Sequence, residues 1–160
     1  MMTDNAAVGW IGLGKMGVPM AGHLLKAGFA LTVYNRSSGP EVGLRDAGAA
    51  VAESPAALAQ NVGTIISMTS DDAALADVTD GPNGAFGAAA PGTLFIDMST
   101  VSPDISAKVG ARANELGLGY LRAPVSGGVA LAVAGTITVL ASGARADFDK
   151  ALPLFDAMAK

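Results

Sequence analysis

The chain alternates between short apolar blocks and longer stretches in which apolar residues recur every three or four positions. Residues 6–11 (AAVGWI), 30–34 (ALTVY), 63–68 (GTIISM) and 93–98 (TLFIDM) are continuous apolar runs bounded by glycine or turn residues. Strands buried on both faces of a parallel sheet look like this. Between them, residues 14–28 carry a helical pattern that ends at Gly28, and 41–48, 54–60 and 71–78 are shorter helical stretches. The segment SPAALAQ (54–60) offers Ser54 as a cap and Pro55 in the first turn. Residues 102–117 predict a further helix from Pro103 to Gly117, after which 119–125 and 135–143 read as strands. A closing helix over 146–160 is expected to be interrupted by Pro153. The turn-rich stretch 81–92 reads as a loop with a short helical turn.

Strands alternating with helices of this length imply right-handed βαβ crossovers. The expected fold is α/β: a Rossmann-type, doubly wound, mostly parallel sheet with helices on both faces. No repeat or linker divides the 160 residues, so 1–160 reads as one domain.

Composition narrows the chemistry. Apolar residues make up 51% of the chain and aromatics only 5%, so Ala, Val, Leu, Ile and Met must build the core. The formal charge is −4 and the ten basic residues are scattered, without the basic stripe that nucleic acid requires. There is no cysteine for a disulfide or thiolate metal site, and the single histidine, His23, makes no metal site by itself. No apolar run approaches the ~20 residues of a membrane span. The start, MMTDNAAVGW, lacks the basic and apolar blocks of a secretory signal. A cytoplasmic, membrane-free protein is the expectation.

The first chemical motif is GLGKMG, residues 12–17, a G-x-G-x-x-G pattern formed by Gly12, Leu13, Gly14, Lys15, Met16 and Gly17. A glycine-rich chain produces this pattern by chance, but here it follows a strand, opens a helix, and precedes a second strand at the right distance. Gly12 permits a tight turn, Gly14 lets the backbone approach a pyrophosphate, and Gly17 allows close helix–strand packing. The helix start then turns its amides and positive dipole end toward the phosphates.

At the end of the second strand, VYNRSSG (33–39) places Asn35 and Arg36 where an NAD site carries Asp or Glu. Asn35 removes the repulsion a carboxylate would exert on a 2′-phosphate. Arg36 supplies a guanidinium that pairs with phosphate and stacks on adenine, while Ser37 and Ser38 add hydroxyls. The cofactor expected is NADP(H), with NAD(H) as the alternative should Arg36 be merely solvated. SGG, residues 126–128, is a second candidate site: successive amides at a turn form an anion nest, or simply end a strand.

Four stretches in order, GWIGLGKMGVPMAGHLLKAGF (9–29), VYNRS (33–37), FIDMSTVSP (95–103) and APVSGG with AGTITVLASG (123–143), resemble the β-hydroxyacid dehydrogenase family. That family includes 3-hydroxyisobutyrate dehydrogenase, tartronate semialdehyde reductase and the cofactor domain of 6-phosphogluconate dehydrogenase. The resemblance implies a reductase interconverting a 3-hydroxy acid and its semialdehyde or ketone. It assigns Gly12–Gly17 to the pyrophosphate and Asn35, Arg36 and Ser37 to the 2′-phosphate. Met68 and Thr69 would line the cofactor cleft, Ser99 and Thr100 would lie near the nicotinamide, and Ser126, Gly127 and Gly128 would hold the substrate acid. Arg122 and Leu131 depart from the family's pattern, which has Asp and Gly there. His23 stands where Asn is frequent and reads as a packing or capping residue.

The family's catalytic lysine belongs to a later all-helical domain that also mediates dimers or tetramers. Lys150 and Lys160 match no such motif, so no catalytic residue is assigned here and cofactor binding with little turnover is expected. Imine reductases resemble the family in this half, and a non-catalytic NADP-binding module is the reading from another class.

Overall fold

The computed structural model describes residues 7–160. Ala6, the first residue of the predicted first strand, and the N-terminal stretch read for a leader lie outside the described residues. Six strands run parallel: β1 (Val8–Ile11), β2 (Leu31–Tyr34), β3 (Ala50–Val51), β4 (Thr64–Ser67), β5 (Leu94–Asp97) and β6 (Gly119–Arg122). Their order is β3-β2-β1-β4-β5-β6, and the two-residue β9 (Ser142–Gly143) adds antiparallel to the β6 edge. The chain thus leaves β1 in one direction for β2 and β3, then returns to its other side for β4. That reversal opens a crevice above the carboxyl ends of β1 and β4.

Side chains alternate across the sheet and build two cores. Val8, Trp10, Ile66, Ile96 and Leu121 pack beneath α1 (Gly17–Lys26), α2 (Val42–Asp46), α6 (Val129–Ala134) and α7 (Arg145–Met158). Ile11, Ile65 and Phe95 face α3 (Pro55–Ala59), α4 (Asp72–Asp80) and α5 (Pro103–Glu115). Each fully buried aliphatic or aromatic side chain contributes about 1.5–3 kcal/mol relative to exposure. Both faces being covered explains why the strand sequences are continuous apolar runs rather than alternating ones.

Three of the described helices carry side-chain caps, of which Ser54 alone is expected from the sequence. Ser54 Oγ accepts from Ala57 N (3.0 Å), Asp71 Oδ1 from Ala74 N (2.8 Å) and Ser102 Oγ from Ile105 N (3.2 Å). Helix α1 is different: its cap position is Met16, which has no side-chain cap bond, and among the described residues no side chain bonds its first-turn amides.

Four sequence expectations change. The first helix starts at Gly17 rather than Gly14, because Gly14–Met16 form the turn that leads into it. Helix α7 runs unbroken through Pro153. Pro153 and Asp149, whose carbonyl Pro153 leaves without its helical donor, are both exposed, and buried Ala151, Leu154, Phe155 and Met158 hold the helix down. The predicted strand 119–125 stops at Arg122; beyond Pro124 the chain forms β7 (Val125–Ser126), which pairs with β8 (Thr138–Val139) in a separate sheet. The predicted strand 135–143 divides into β8 and β9, each in a different sheet. The short α6 and the edge strand β3 were not anticipated. Among the described residues, no helix is long and apolar enough to cross a membrane.

Candidate functional site

A cleft of about 650 Å³ opens at the switch between β1 and β4. Its floor and one wall are Ile11, Gly12–Gly17, Tyr34 and the loop Asn35–Ser37; the other wall is Met68–Asp71 with Ala73, Ala74, Asp77 and Val78 of α4. All of Gly12–Gly17, Asn35–Ser37, Met68 and Thr69 are therefore brought together.

The glycine turn is built from backbone contacts that exclude side chains. Gly12 sits at φ +102°, and a Cβ there would collide with the Met68 carbonyl. A Cβ on Gly17 would collide with the Gly12 carbonyl, so α1 reaches β1 only because both positions are bare. Gly14 is open: a Cβ would meet nothing within 4 Å, and the residue borders the cleft. The Gly12 amide donates to Tyr34 O (3.0 Å) and the Leu13 amide to Asn35 Oδ1 (2.9 Å). Among the described residues, no protein acceptor takes the amides of Gly14 through Gly17. Open donors at the positive end of a ten-residue helix suit a pyrophosphate, and the bare Gly14 leaves space for it.

Asn35 is engaged within the protein. Its Oδ1 accepts from Leu13, and its Nδ2 donates to Ser37 O (2.9 Å) and Ser37 Oγ (3.2 Å). Asn35 also borders the cleft, and these bonds tie the 35–37 turn to the glycine loop. Arg36 and Lys15 stand exposed on the cleft's edge, and neither is in an ion pair among the described residues.

Ser99 and Thr100 do not line the cleft. Ser99 is buried beneath it: its Oγ accepts from Thr69 N (2.8 Å) and lies 3.0 Å from Thr69 Oγ1. Behind it is Asp97, 1% exposed at the end of β5, whose Oδ1 accepts from Ser67 Oγ (2.9 Å) and Ser99 N (3.0 Å). Among the described residues its Oδ2 has no hydrogen-bond partner. Burial pushes the Asp97 carboxyl above its ordinary range, against the opposing pull of the Ser99 and Ser67 hydrogen bonds and the nearby Arg122 charge. This network fixes Thr69 at the cleft wall, and its key residue was read in sequence only as part of a strand.

Ser126–Gly128 lie beyond β6, past the carboxyl edge shared by β1, β4 and β5, and outside the cleft lining. Gly128 caps α6, and no protein acceptor takes the Gly127 or Gly128 amide among the described residues. His23, on α1, reaches the end of that helix: Nε2 lies 2.9 Å from Ala132 O and 3.0 Å from Val133 O. Both partners are carbonyls, so Nε2 carries the proton, and the histidine caps a helix as expected of a structural residue. The α4 wall was missed, although a helix directly following a strand at the switch point must border the crevice.

Residues 7–160 match the family described as the NAD binding domain of 6-phosphogluconate dehydrogenase. An NAD-dependent L-serine dehydrogenase of Pseudomonas aeruginosa is 41% identical over 153 residues, 96% of this chain and 51% of that protein. A solved Mycobacterium tuberculosis 3-hydroxyisobutyrate dehydrogenase, studied with L-serine, superposes with a TM-score of 0.90 at 32% identity, covering 99% of this chain and 53% of that one. A structure titled Psf3 in complex with NADP+ and 2-OPP gives 0.91 at 30% identity, covering 96% and 54%. The chain spans about half the length of the curated relatives it matches.

Proposed function

This chain belongs to the family of the NAD binding domain of 6-phosphogluconate dehydrogenase, and we propose that it forms the cofactor-binding part of an NADP(H)-preferring oxidoreductase. The reaction proposed interconverts a 3-hydroxy acid and its semialdehyde or ketone. The observation that carries the cofactor preference is the end of β2: no carboxylate there, and on the cleft's edge an exposed Arg36 in no ion pair among the described residues. A 2′-phosphate needs a cation at this place, whereas an NAD site uses an acid that would repel it.

In this reading the amides of Gly14–Gly17 hold the pyrophosphate. Arg36 and Ser37 meet the 2′-phosphate, with Asn35 shaping their turn. Bound dinucleotide supplies or accepts the hydride. Met68 and Thr69 frame the nicotinamide end; Ser99 acts there through its hold on Thr69, and Thr100, next to Ser99, stands outside the cleft lining. Ser126 and the open amides of Gly127 and Gly128 orient the substrate carboxylate. The similarity to serine and 3-hydroxyisobutyrate dehydrogenases favours a short hydroxy acid. The same reading takes residues 1–160 as one domain of a cytoplasmic enzyme that assembles as a homodimer or homotetramer through regions beyond this match.

Parallel calorimetric titrations of the purified 160-residue chain with NADPH and NADH test the assignment. Preferential binding of NADPH is expected. Equal affinities would refute the phosphate reading of Arg36, and binding of neither would refute the cofactor site.

A further inference from the structure

We propose that Trp10 is a positioning residue for dinucleotide binding, because its indole N–H and the Asn35 side-chain oxygen clamp opposite ends of the Gly12–Leu13 peptide. The inference rests on reading the cleft as the dinucleotide site, and it names the device that sets the shape of the pyrophosphate loop.

Trp10 lies on the central strand β1, in register with Val33 on one side and Ile66 on the other. Its side chain is 0% exposed and packs in the core beneath α1 with Met20 and Leu24. From there Nε1 donates to Gly12 O at 2.8 Å. The amide of the same peptide unit, Leu13 N–H, donates to Asn35 Oδ1 at 2.9 Å. A peptide is planar, so its carbonyl and amide point in opposite directions, and holding both stops the unit from rotating. The hold matters because the unit follows a glycine at φ +102°, a residue with wide backbone freedom. Gly17 closes the bracket, since its Cα leaves no room for a Cβ between the Gly12 carbonyl and the Trp10 indole nitrogen. One peptide is consumed as the anchor, and the amides of Gly14–Gly17 that follow it stay open to the cleft.

The clamp also links two ligand-facing loops. Asn35 holds Leu13 with its oxygen and Ser37 with its nitrogen, so the turn carrying Arg36 is braced against the glycine loop. Trp10 sets the loop from below and Asn35 from the side.

Trp10→Phe keeps an aromatic ring in the core and deletes the N–H. In the 160-residue chain it is expected to weaken NADPH and NADH equally, by roughly three- to tenfold, the worth of one net hydrogen bond. The ratio of the two affinities stays constant, unlike the effect of changing Arg36. A double-mutant cycle with Asn35→Ala, read with NADH so that no 2′-phosphate contact enters, should be strongly sub-additive, because either change frees the same peptide. Should Trp10→Phe fold poorly, proton exchange in the unmodified chain decides: the Trp10 indole N–H and the Leu13 amide should both be protected, and should slow together when NADPH is added. Unchanged affinities in folded Trp10→Phe, additive losses in the cycle, or rapid exchange of either proton would overturn the clamp. No binding of either cofactor by the unmodified chain would instead overturn the dinucleotide reading on which it stands.

Discussion

Replacing Arg36 by alanine isolates the charge that distinguishes the two cofactors. The guanidinium is exposed at the cleft's edge and has no protein partner, so its removal breaks no internal contact among the described residues. Stability should therefore stay within about 0.5 kcal/mol of the parent, as for an ordinary surface substitution. Against a 2′-phosphate, a charge-assisted hydrogen bond is worth about 1.5–3 kcal/mol, and exposure to solvent argues for taking about 1–2. That corresponds to a loss of roughly 5- to 30-fold in NADPH affinity. NADH lacks the phosphate and should change by no more than about twofold, the residue of any stacking on adenine. Calorimetric titration of both variants with both cofactors gives the four constants needed. Salt supplies an internal check: raising ionic strength from about 0.02 to 0.5 M should narrow the NADPH gap and leave NADH alone. Equal losses for the two cofactors, or no loss for NADPH, would refute the reasoning.

Three further outcomes are expected. Gly12→Ala meets both a positive φ and the Met68 carbonyl, so it should cost about 2–4 kcal/mol in denaturant unfolding and abolish cofactor binding. Asp97 has its carboxyl raised by burial, so its contribution is most favourable below the ordinary carboxyl range and fades as pH climbs through the raised value. The melting temperature of Asp97→Asn, relative to the parent, should accordingly be higher at pH 7 than at pH 4; a difference independent of pH would contradict the upward push of burial on this carboxyl. Ser102→Ala removes the α5 cap and the hydroxyl bond to Asp72 Oδ2, the larger of the two Ser102 bonds that hold that carboxyl below its ordinary value, and leaves the backbone amide bond to Asp72 Oδ1 in place. A loss near 1 kcal/mol, or about 2–4 °C in Tm, is expected at neutral pH, and the gap should shrink as acid protonates Asp72.

Much of this protein was legible in its order of residues because much of it is local. The unit from β1 through the glycine turn to α1 is written in adjacent positions: an apolar run, spaced glycines, then a helical period ending before Gly28. The Ser-Pro starts of α3 and α5 are local too, and each formed where expected. Arg36 could be placed because the distance from Gly12 to the end of β2 is set by one crossover. What depends on distant partners was not readable. Helix α6 has only six residues with little periodicity of its own; it is held by burial of Ala132 and by His23, 109 positions earlier. Whether 135–143 made one strand or two was decided by which sheet edge lay nearby. That Asn35 braces the glycine loop through Leu13, 22 positions earlier, as well as its own turn through Ser37, follows only from the folded contacts. Asp97 read as one more strand residue, and only the packing of β4 against β5 enclosed it. Local pattern chose the elements and the chemistry of the glycine loop, because helix, strand and turn are settled by neighbours in sequence. Tertiary contact decided which polar groups face a ligand and which are consumed in holding the site, because those partners meet only after the chain has folded.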